Sequence, residues 1–332
     1  MNASKRLTIR CIATALAATS LGLIAPLVQA QPDAKNPLPE KTIRLIVPYS
    51  AGGGTDIIAR HLAERLRSRL NRTIIVDNKP GANGVIGTEM VVKSAPDGTT
   101  MVLVVNTHLL NPLLMKKLPY DTFKDLTPIT KVATSPLVVV VSSEVPAKNV
   151  KELTELMRKS PDKYSYGSSE NMTRLVGAMY VRSQGLDPVH VPYKGGAPLM
   201  TDVVSGVTTI GVTSVLTAKQ FITSGRLRAL AVTGAKRTDA LPDVPTMIES
   251  GAKDFEAYSD YSLFAPAGTP RPILDYLQKE ISAAIHTPEM IAILAAQAAI
   301  PVGAPVAETE QQVQKDFQFW QRLVADVGLK AE

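Results

Sequence analysis

Two glycine-bearing segments stand out as places where backbone groups, rather than side chains, could do chemistry. The first is Pro48-Tyr-Ser-Ala-Gly-Gly-Gly-Thr-Asp56 and the second is Pro192-Tyr-Lys-Gly-Gly-Ala-Pro198. Each follows a short aliphatic run and precedes a stretch of helical periodicity. Each is therefore expected at the carboxyl end of a strand, where open α/β sheets bind ligands. Gly52, Gly53 and Gly54 carry no side chain that would block approach, and a helix start offers unpaired N–H groups and positive dipole. Gly53 in particular is expected to need that freedom, for close approach or a positive φ. A small carboxylate suits such a turn. So does a plain tight turn in which Thr55 or Asp56 caps the helix. The run lacks the Gly-x-Gly-x-x-Gly order of a dinucleotide fingerprint. In the second segment Lys194 could add a charge to the same kind of cradle, or be an ordinary solvated lysine.

Other chemistry is thinly represented. His61, His108, His190 and His286 are scattered without His-x-x-x-His or Cys spacing, so a zinc site is not expected and core or solvated histidines are. There is no Gly-x-Ser-x-Gly elbow and no Gly-x-x-x-x-Gly-Lys loop. Ser160-Pro-Asp-Lys163 matches Ser-x-x-Lys in spelling only, because Pro161 is poorly placed to continue a helix. Ser168, Ser169 and Asn171, and likewise Asn106 and Thr107, are short polar residues after strand-like runs, equally suited to ligand hydrogen bonds and to turns.

These segments must be positioned by strands and helices, and the periodicity supplies both. Ile43–Val47 reads as a buried strand; from Asp56 to Leu70, Ile58, Leu62, Leu66 and Leu70 recur every four residues as one helical face. A strand at Thr73–Asp77, a helix at Val85–Ser94 and a strand at Thr100–Val105 continue the alternation. A second series starts at Pro136–Val141. It runs through a helix at Asn149–Lys159, a strand at Tyr164–Tyr166 and a helix at Thr173–Gln184. Val189–Val191, Pro198–Ser205, Thr208–Val212, Thr217–Ser224 and Leu227–Thr233 then alternate as strand and helix. The tail reads as helices at Pro270–His286, Pro288–Ala298 and Thr309–Val327. Strands separated by helices imply mainly parallel sheets flanked by helices, in two α/β units.

Composition agrees with a globular chain. Of 332 residues 45% are hydrophobic and only 5% aromatic, so the core is built mainly from Val, Ile, Leu and Ala. Residues 1–30 carry a basic start, an apolar stretch and the small-residue ending Val28-Gln29-Ala30, which is the pattern of a secretory signal peptide cleaved between Ala30 and Gln31. Cleavage removes three basic and no acidic residues, lowering the net charge from +6 to +3 with no polybasic run, so no nucleic-acid partner is expected. The single cysteine, Cys11, leaves with the signal, and the exported chain must hold together by packing without disulfides. The periplasm is the expected location.

At the two glycine loops the sequence resembles the extracytoplasmic solute receptors of tripartite tricarboxylate transporters, often called Bug receptors. The similarity spans nearly the whole mature chain. It is carried by IRLIVPYSAGGGTDIIAR (Ile43–Arg60), VDNKPGANGVIG (Val76–Gly87), APDGTT (Ala95–Thr100), HVPYKGGAP (His190–Pro198), LRALAVTGAKRTDALPDVPTMIESG (Leu227–Gly251) and LFAPAGTP (Leu263–Pro270). The resemblance implies a two-lobed, hinge-closing periplasmic binding protein, not an enzyme, that delivers a small carboxylated solute to membrane permease subunits. It further implies a monomer without a cofactor or metal. Lobe one is then residues 31–131 plus 254–332, lobe two 132–253, with the ligand cleft between them. The family's carboxylate cradle maps onto Tyr49, Ser50, Ala51, Gly52, Gly53 and Gly54, and the partner loop onto Tyr193, Lys194, Gly195, Gly196 and Ala197.

This chain departs from the family pattern where specificity is set. Tyr166-Gly-Ser-Ser-Glu-Asn-Met-Thr-Arg174 is shorter than the usual Gly/Ser-rich loop and has Arg174 near the usual histidine. Thr213 and Ser214 stand where an acidic or amide residue is common, and Tyr258-Ser-Asp-Tyr261 replaces a tryptophan segment. Arg174 could pair a second carboxylate with its planar fork, or lie on a solvated helix face. Two other functions fit a two-lobed exported chain: a sensor presenting its closed form to a membrane kinase, and an exported α/β enzyme, for which no nucleophile–base pair or metal set can be named.

Overall fold

The computed structural model describes residues 36–331. The signal segment 1–30 and the Ala30–Gln31 junction lie outside them.

In chain order the first half contains β1 (Ile43–Val47), α1 (Gly54–Leu70), β2 (Ile74–Asn78), α2 (Val85–Val92), β3 (Thr100–Val104), α3 (Thr107–Leu114) and β4 (Leu126–Ser142). Then come α4 (Val150–Lys159), β5 (Ser165–Ser168), α5 (Asn171–Ser183), β6 (Val189–Pro192), α6 (Gly196–Val204), β7 (Ile210–Ser214), α7 (Val215–Thr223) and β8 (Leu227–Val232). The chain closes with β9 (Tyr258–Pro266), α8 (Arg271–Ile285), α9 (Pro288–Ala295), β10 (Ile300–Pro301) and α10 (Val306–Val327). No helix among the described residues is long and apolar enough to cross a membrane.

The strands run β2-β1-β3-β9-β4-β7-β5-β6, with β8 and β10 paired to β4. Helix-separated strands are parallel: β1 to β2 and β3, and β5 to β6 and β7. The two central strands oppose each other, with β9 running against β3 and β4 against β7. β4 pairs antiparallel with β9 over Leu126–Pro136, then changes partners and pairs antiparallel with β7 and β8 from Leu137 onward. One 17-residue strand therefore passes through both half-sheets.

Both faces of each half-sheet are covered, and strand alternation decides which residue goes to which face. On β1, Leu45 and Val47 join Leu62, Leu66, Leu277 and Ile281 from α1 and α8, while Ile46 points to the opposite face with Val102 and Val104. On β4, Val138 and Val140 meet Leu199, Met200 and Val203 of α6, whereas Val139 and Val141 share a core with Leu153, Leu175 and Tyr180 of α4 and α5. The four-residue spacing of Ile58, Leu62, Leu66 and Leu70 is the buried stripe of α1, all of it essentially solvent-free. Where β3, β4 and β9 meet α10, Lys131 Nζ lies 2.7 Å from Asp260 and 3.3 Å from Asp316, an ion cluster bridging three elements.

Three elements were not legible as such in the sequence. α3 carries Pro112 within it, which reads as a breaker. β9 begins with Tyr258-Ser-Asp, and the first half of β4 includes Pro128 and two register shifts, so neither shows clean strand patterning. The Ser160–Lys163 segment is a single 3-10 turn, not a helix that would bring Lys163 beside Ser160.

Candidate ligand-binding site

The first glycine loop is built by its neighbours rather than by its own side chains. The backbone N–H of Gly52 donates to Asp56 Oδ2 at 2.9 Å, and Arg60 Nε donates to the same oxygen at 3.0 Å. Asp56 is 3% exposed; burial pushes its carboxyl pKa up, but the hydrogen bonds from Arg60 and Gly52 outweigh that and hold it below the usual value. Asn78 Nδ2 donates to the Tyr49 carbonyl at 3.1 Å, and the Tyr49 hydroxyl accepts the Val105 N–H at 3.3 Å. The positive φ falls on Gly52, at 80°, not on Gly53, whose φ is −78°. Gly53 is the N-cap of α1 and supplies no capping side chain, which leaves the first N–H groups of the helix for another acceptor.

The second loop repeats this arrangement. Tyr193 N–H donates to the Ser168 carbonyl at 2.8 Å, and its hydroxyl donates to Asp202 at 2.8 Å, fixing the chain as it leaves β6. Gly195 is the N-cap of α6, again with no capping side chain. The two loops touch: Ser50 Oγ donates to the Lys194 carbonyl at 3.3 Å. A Cβ on Gly195 would come within 3.1 Å of Ser50 Oγ, so glycine permits that approach.

Between the loops lies a cavity of about 70 Å³. Tyr49, Ser50, Ala51, Gly53, Gly54 and Thr55 line it from one side, and Lys194, Gly195, Gly196 and Ala197 from the other. Thr213 comes from the end of β7, and Ser214 and Thr217 from the start of α7, where Ser214 Oγ accepts the Thr217 N–H at 3.3 Å as a cap. Ser169, Glu170 and Thr173 come from the start of α5. Ser259 and Tyr261 of β9 and the apolar Val105 and Leu137 complete the walls. Four helix N-termini thus converge on one polar cavity, and those of α1 and α6 have no capping side chain of their own. Such a field favours an anion. A larger groove, about 580 Å³, adjoins it past Tyr49, Ser50, Ser169 and Lys194 toward the 80–84 turn.

Glu170 is the acid in this wall. Burial pushes its carboxyl up to about 7, opposed by a hydrogen bond with Thr107. Burial and the neighbouring Glu170 charge push the phenols of Tyr49 and Tyr261 upward, so both stay neutral.

Several residues singled out in the sequence lie outside this lining. Gly52 and Asp56 shape the first loop. Asn106 bonds the β9 backbone and side chain at Asp260, and borders a separate small pocket with His108. Thr107 Oγ1 accepts the Met172 N–H at 3.2 Å. Ser168 Oγ lies 2.8 Å from His190 Nε2, and Asn171 Nδ2 donates to Asn111 Oδ1 at 3.0 Å. Arg174, on α5, and Tyr193 are likewise absent from the cavity wall, although Tyr193 borders the adjoining groove. The sequence reading did not single out Thr55 except as a cap, nor Glu170, Thr173, Thr217, Ser259 and Tyr261 individually. The N-cap position of Glu170, next to three short polar residues, is the signal that could have drawn attention to it.

Comparison with known proteins bears on this geometry. The family described as tripartite tricarboxylate transporter family receptor matches residues 58–329. Protein BugT of Bordetella pertussis is 32% identical over 305 residues, covering 91% of this chain and 94% of that protein. The solved structure of the periplasmic binding protein BugD is 34% identical with a TM-score of 0.84, covering 89% of this chain and 100% of that one. A Rhodopseudomonas palustris protein solved with adipate is 29% identical with a TM-score of 0.86, covering 89% and 99%.

Proposed function

Since the chain belongs to the tripartite tricarboxylate transporter receptor family, a family of periplasmic solute-binding proteins and not of enzymes, we propose that it captures a small carboxylated solute for delivery to membrane permease subunits. The observation that carries the carboxylate is the pairing of α1 and α6. Both start on glycine, both lack a capping side chain, and both open into the same cavity. A carboxylate placed there supplies the acceptors that the first turns lack. Adipate in the R. palustris relative supports the same class of ligand.

The topology supports one mechanism of capture. Lobe one, residues 31–131 plus 254–332, presents the first loop, and lobe two, residues 132–253, presents the second. The division at 131/132 falls inside β4, which is continuous; the flexing point is the stretch around Pro136–Leu137, where β4 exchanges β9 for β7 and β8. Rotation there opens and closes the contact between Ser50 and Lys194 over the ligand. The receptor works as a monomer in the periplasm, after cleavage between Ala30 and Gln31.

A thermal-shift and calorimetric panel of carboxylic acids tests the reading on the exported protein. A ligand at 100 times its Kd stabilises by ~2.7 kcal/mol, and closure shrinks the particle in solution scattering. Absence of binding across mono-, di-, tri- and amino-carboxylates would refute it. Intact mass of the exported chain decides the cleavage site.

A further inference from the structure

The wall of the proposed carboxylate cavity carries an acid as well as a base. Two side chains in its wall are ionisable at ordinary pH, the exposed Lys194 on one side and the half-buried Glu170 on the other. Among the described residues no Lys or Arg forms an ion pair with Glu170. Its carboxylate caps α5 by accepting the Thr173 N–H in a capping box, and the Thr107 hydroxyl, whose oxygen accepts from Met172 N–H, lies beside it with its proton free to be given to the carboxylate. Those donors favour the ionised form and oppose the burial that disfavours it. The phenols facing Glu170, Tyr49 and Tyr261, stay neutral and supply no positive charge.

We propose that Glu170 is the specificity-determining residue of the site, selecting a solute that bears a protonated nitrogen besides its carboxylate. The inference rests on the carboxylate-receptor reading above. The solute's anionic end sits at the α1 and α6 starts and its ammonium faces Glu170, giving a zwitterion a counter-charge at each end. A dicarboxylate meets the same cradle but sets its second charge beside the Glu170 carboxylate in the cavity wall. Glu170 thus works by attraction toward an amino-carboxylate and by repulsion toward a diacid.

The experiment is calorimetry with length-matched sets: pentanoate, glutarate and 5-aminopentanoate, and the α-amino acids beside their mono- and dicarboxylate counterparts. The expected result is an amino-carboxylate that binds about 10- to 100-fold tighter than its matched acid and diacid, as one charge-assisted contact gives. Glu170→Gln, which keeps the shape and the Thr107 contact, is expected to erase that preference and leave binding of the plain carboxylate intact. In the native protein the amino-carboxylate should weaken from pH 8 to pH 6, as Glu170 takes up a proton, and a diacid should strengthen. Any titration of His190, behind Ser168, is common to both proteins and cancels in their difference. A diacid that binds as well as the amino-carboxylate, or a preference unchanged in Glu170→Gln, overturns the inference and leaves the carboxylate receptor standing. If no carboxylate of any class binds, both readings fall.

Discussion

Replacing Gly54 by alanine tests the cradle with the least disturbance to the fold. Gly54 is the first residue of α1 and its φ is not positive, so alanine fits the backbone there and gains a helix preference of up to ~1 kcal/mol over glycine. The new Cβ points into the cavity, 3.0 Å from the Tyr261 hydroxyl and 3.1 Å from Ser214 Oγ. Those tight contacts offset part of the propensity gain, so the ligand-free melting transition should move by no more than about 1 kcal/mol equivalent. Binding should not survive so well. The added methyl group stands in the cavity wall and holds the anion away from the first N–H groups. Losing one hydrogen bond to a charged group costs ~1.5–3 kcal/mol, which is roughly 10- to 150-fold in Kd. Calorimetry on the carboxylate that binds the native protein measures this directly. Gly52→Ala is the matched control. Gly52 has φ 80° and no atom within 4 Å of a new Cβ, so alanine there strains the backbone by ~1–2 kcal/mol without entering the cavity. A folded Gly54→Ala that binds with native affinity would refute the assignment of the anion to the start of α1.

Two further outcomes follow from buried ionisable groups. His108 is 2% exposed, and burial lowers its pKa from 6.5 to about 4, so the neutral ring contributes stability that is fully present above pH 6.5 and is lost as pH falls toward 4. His108→Leu should abolish that pH-dependent part, a difference of ~3 kcal/mol between native and variant melts across the window; parallel curves would show that the ring is not held neutral. Asp56 has a lowered pKa, so its stabilisation is present above the unfolded carboxylate pKa and disappears as pH falls through its folded value. Asp56→Asn should cost about 1–2 kcal/mol at pH 7, discounted for the half-exposed Arg60, and the gap should close as pH falls through the lowered folded value; a gap that persists in acid would mean that packing, not charge, is what the loop loses.

The amino-acid sequence by itself fixes what depends on neighbours along the chain. Ile58, Leu62, Leu66 and Leu70 make an amphipathic helix wherever α1 is placed, and the aliphatic runs before Pro48 and Pro192 make strands that end at glycine loops. Period, punctuation and glycine count are local properties, so the helix and strand series and the two loops are readable without coordinates. The family likeness is legible for the same reason, being carried by contiguous motifs. Tertiary structure decided the rest. Which strand lies beside which is a long-range choice, and nothing within Leu126–Ser142 announces that one strand takes β9 as partner at its start and β7 and β8 at its end. The positive φ belongs to Gly52 rather than Gly53 because Asp56 pulls the Gly52 N–H back across the turn, a contact settled by three-dimensional closure. Glu170 read along the chain is one polar residue in a turn; it becomes part of the cavity wall only because α5, α1 and β9 bring it, Tyr49 and Tyr261 to one place. Its raised pKa has the same origin, since burial is a property of the assembled fold and of no short stretch of sequence.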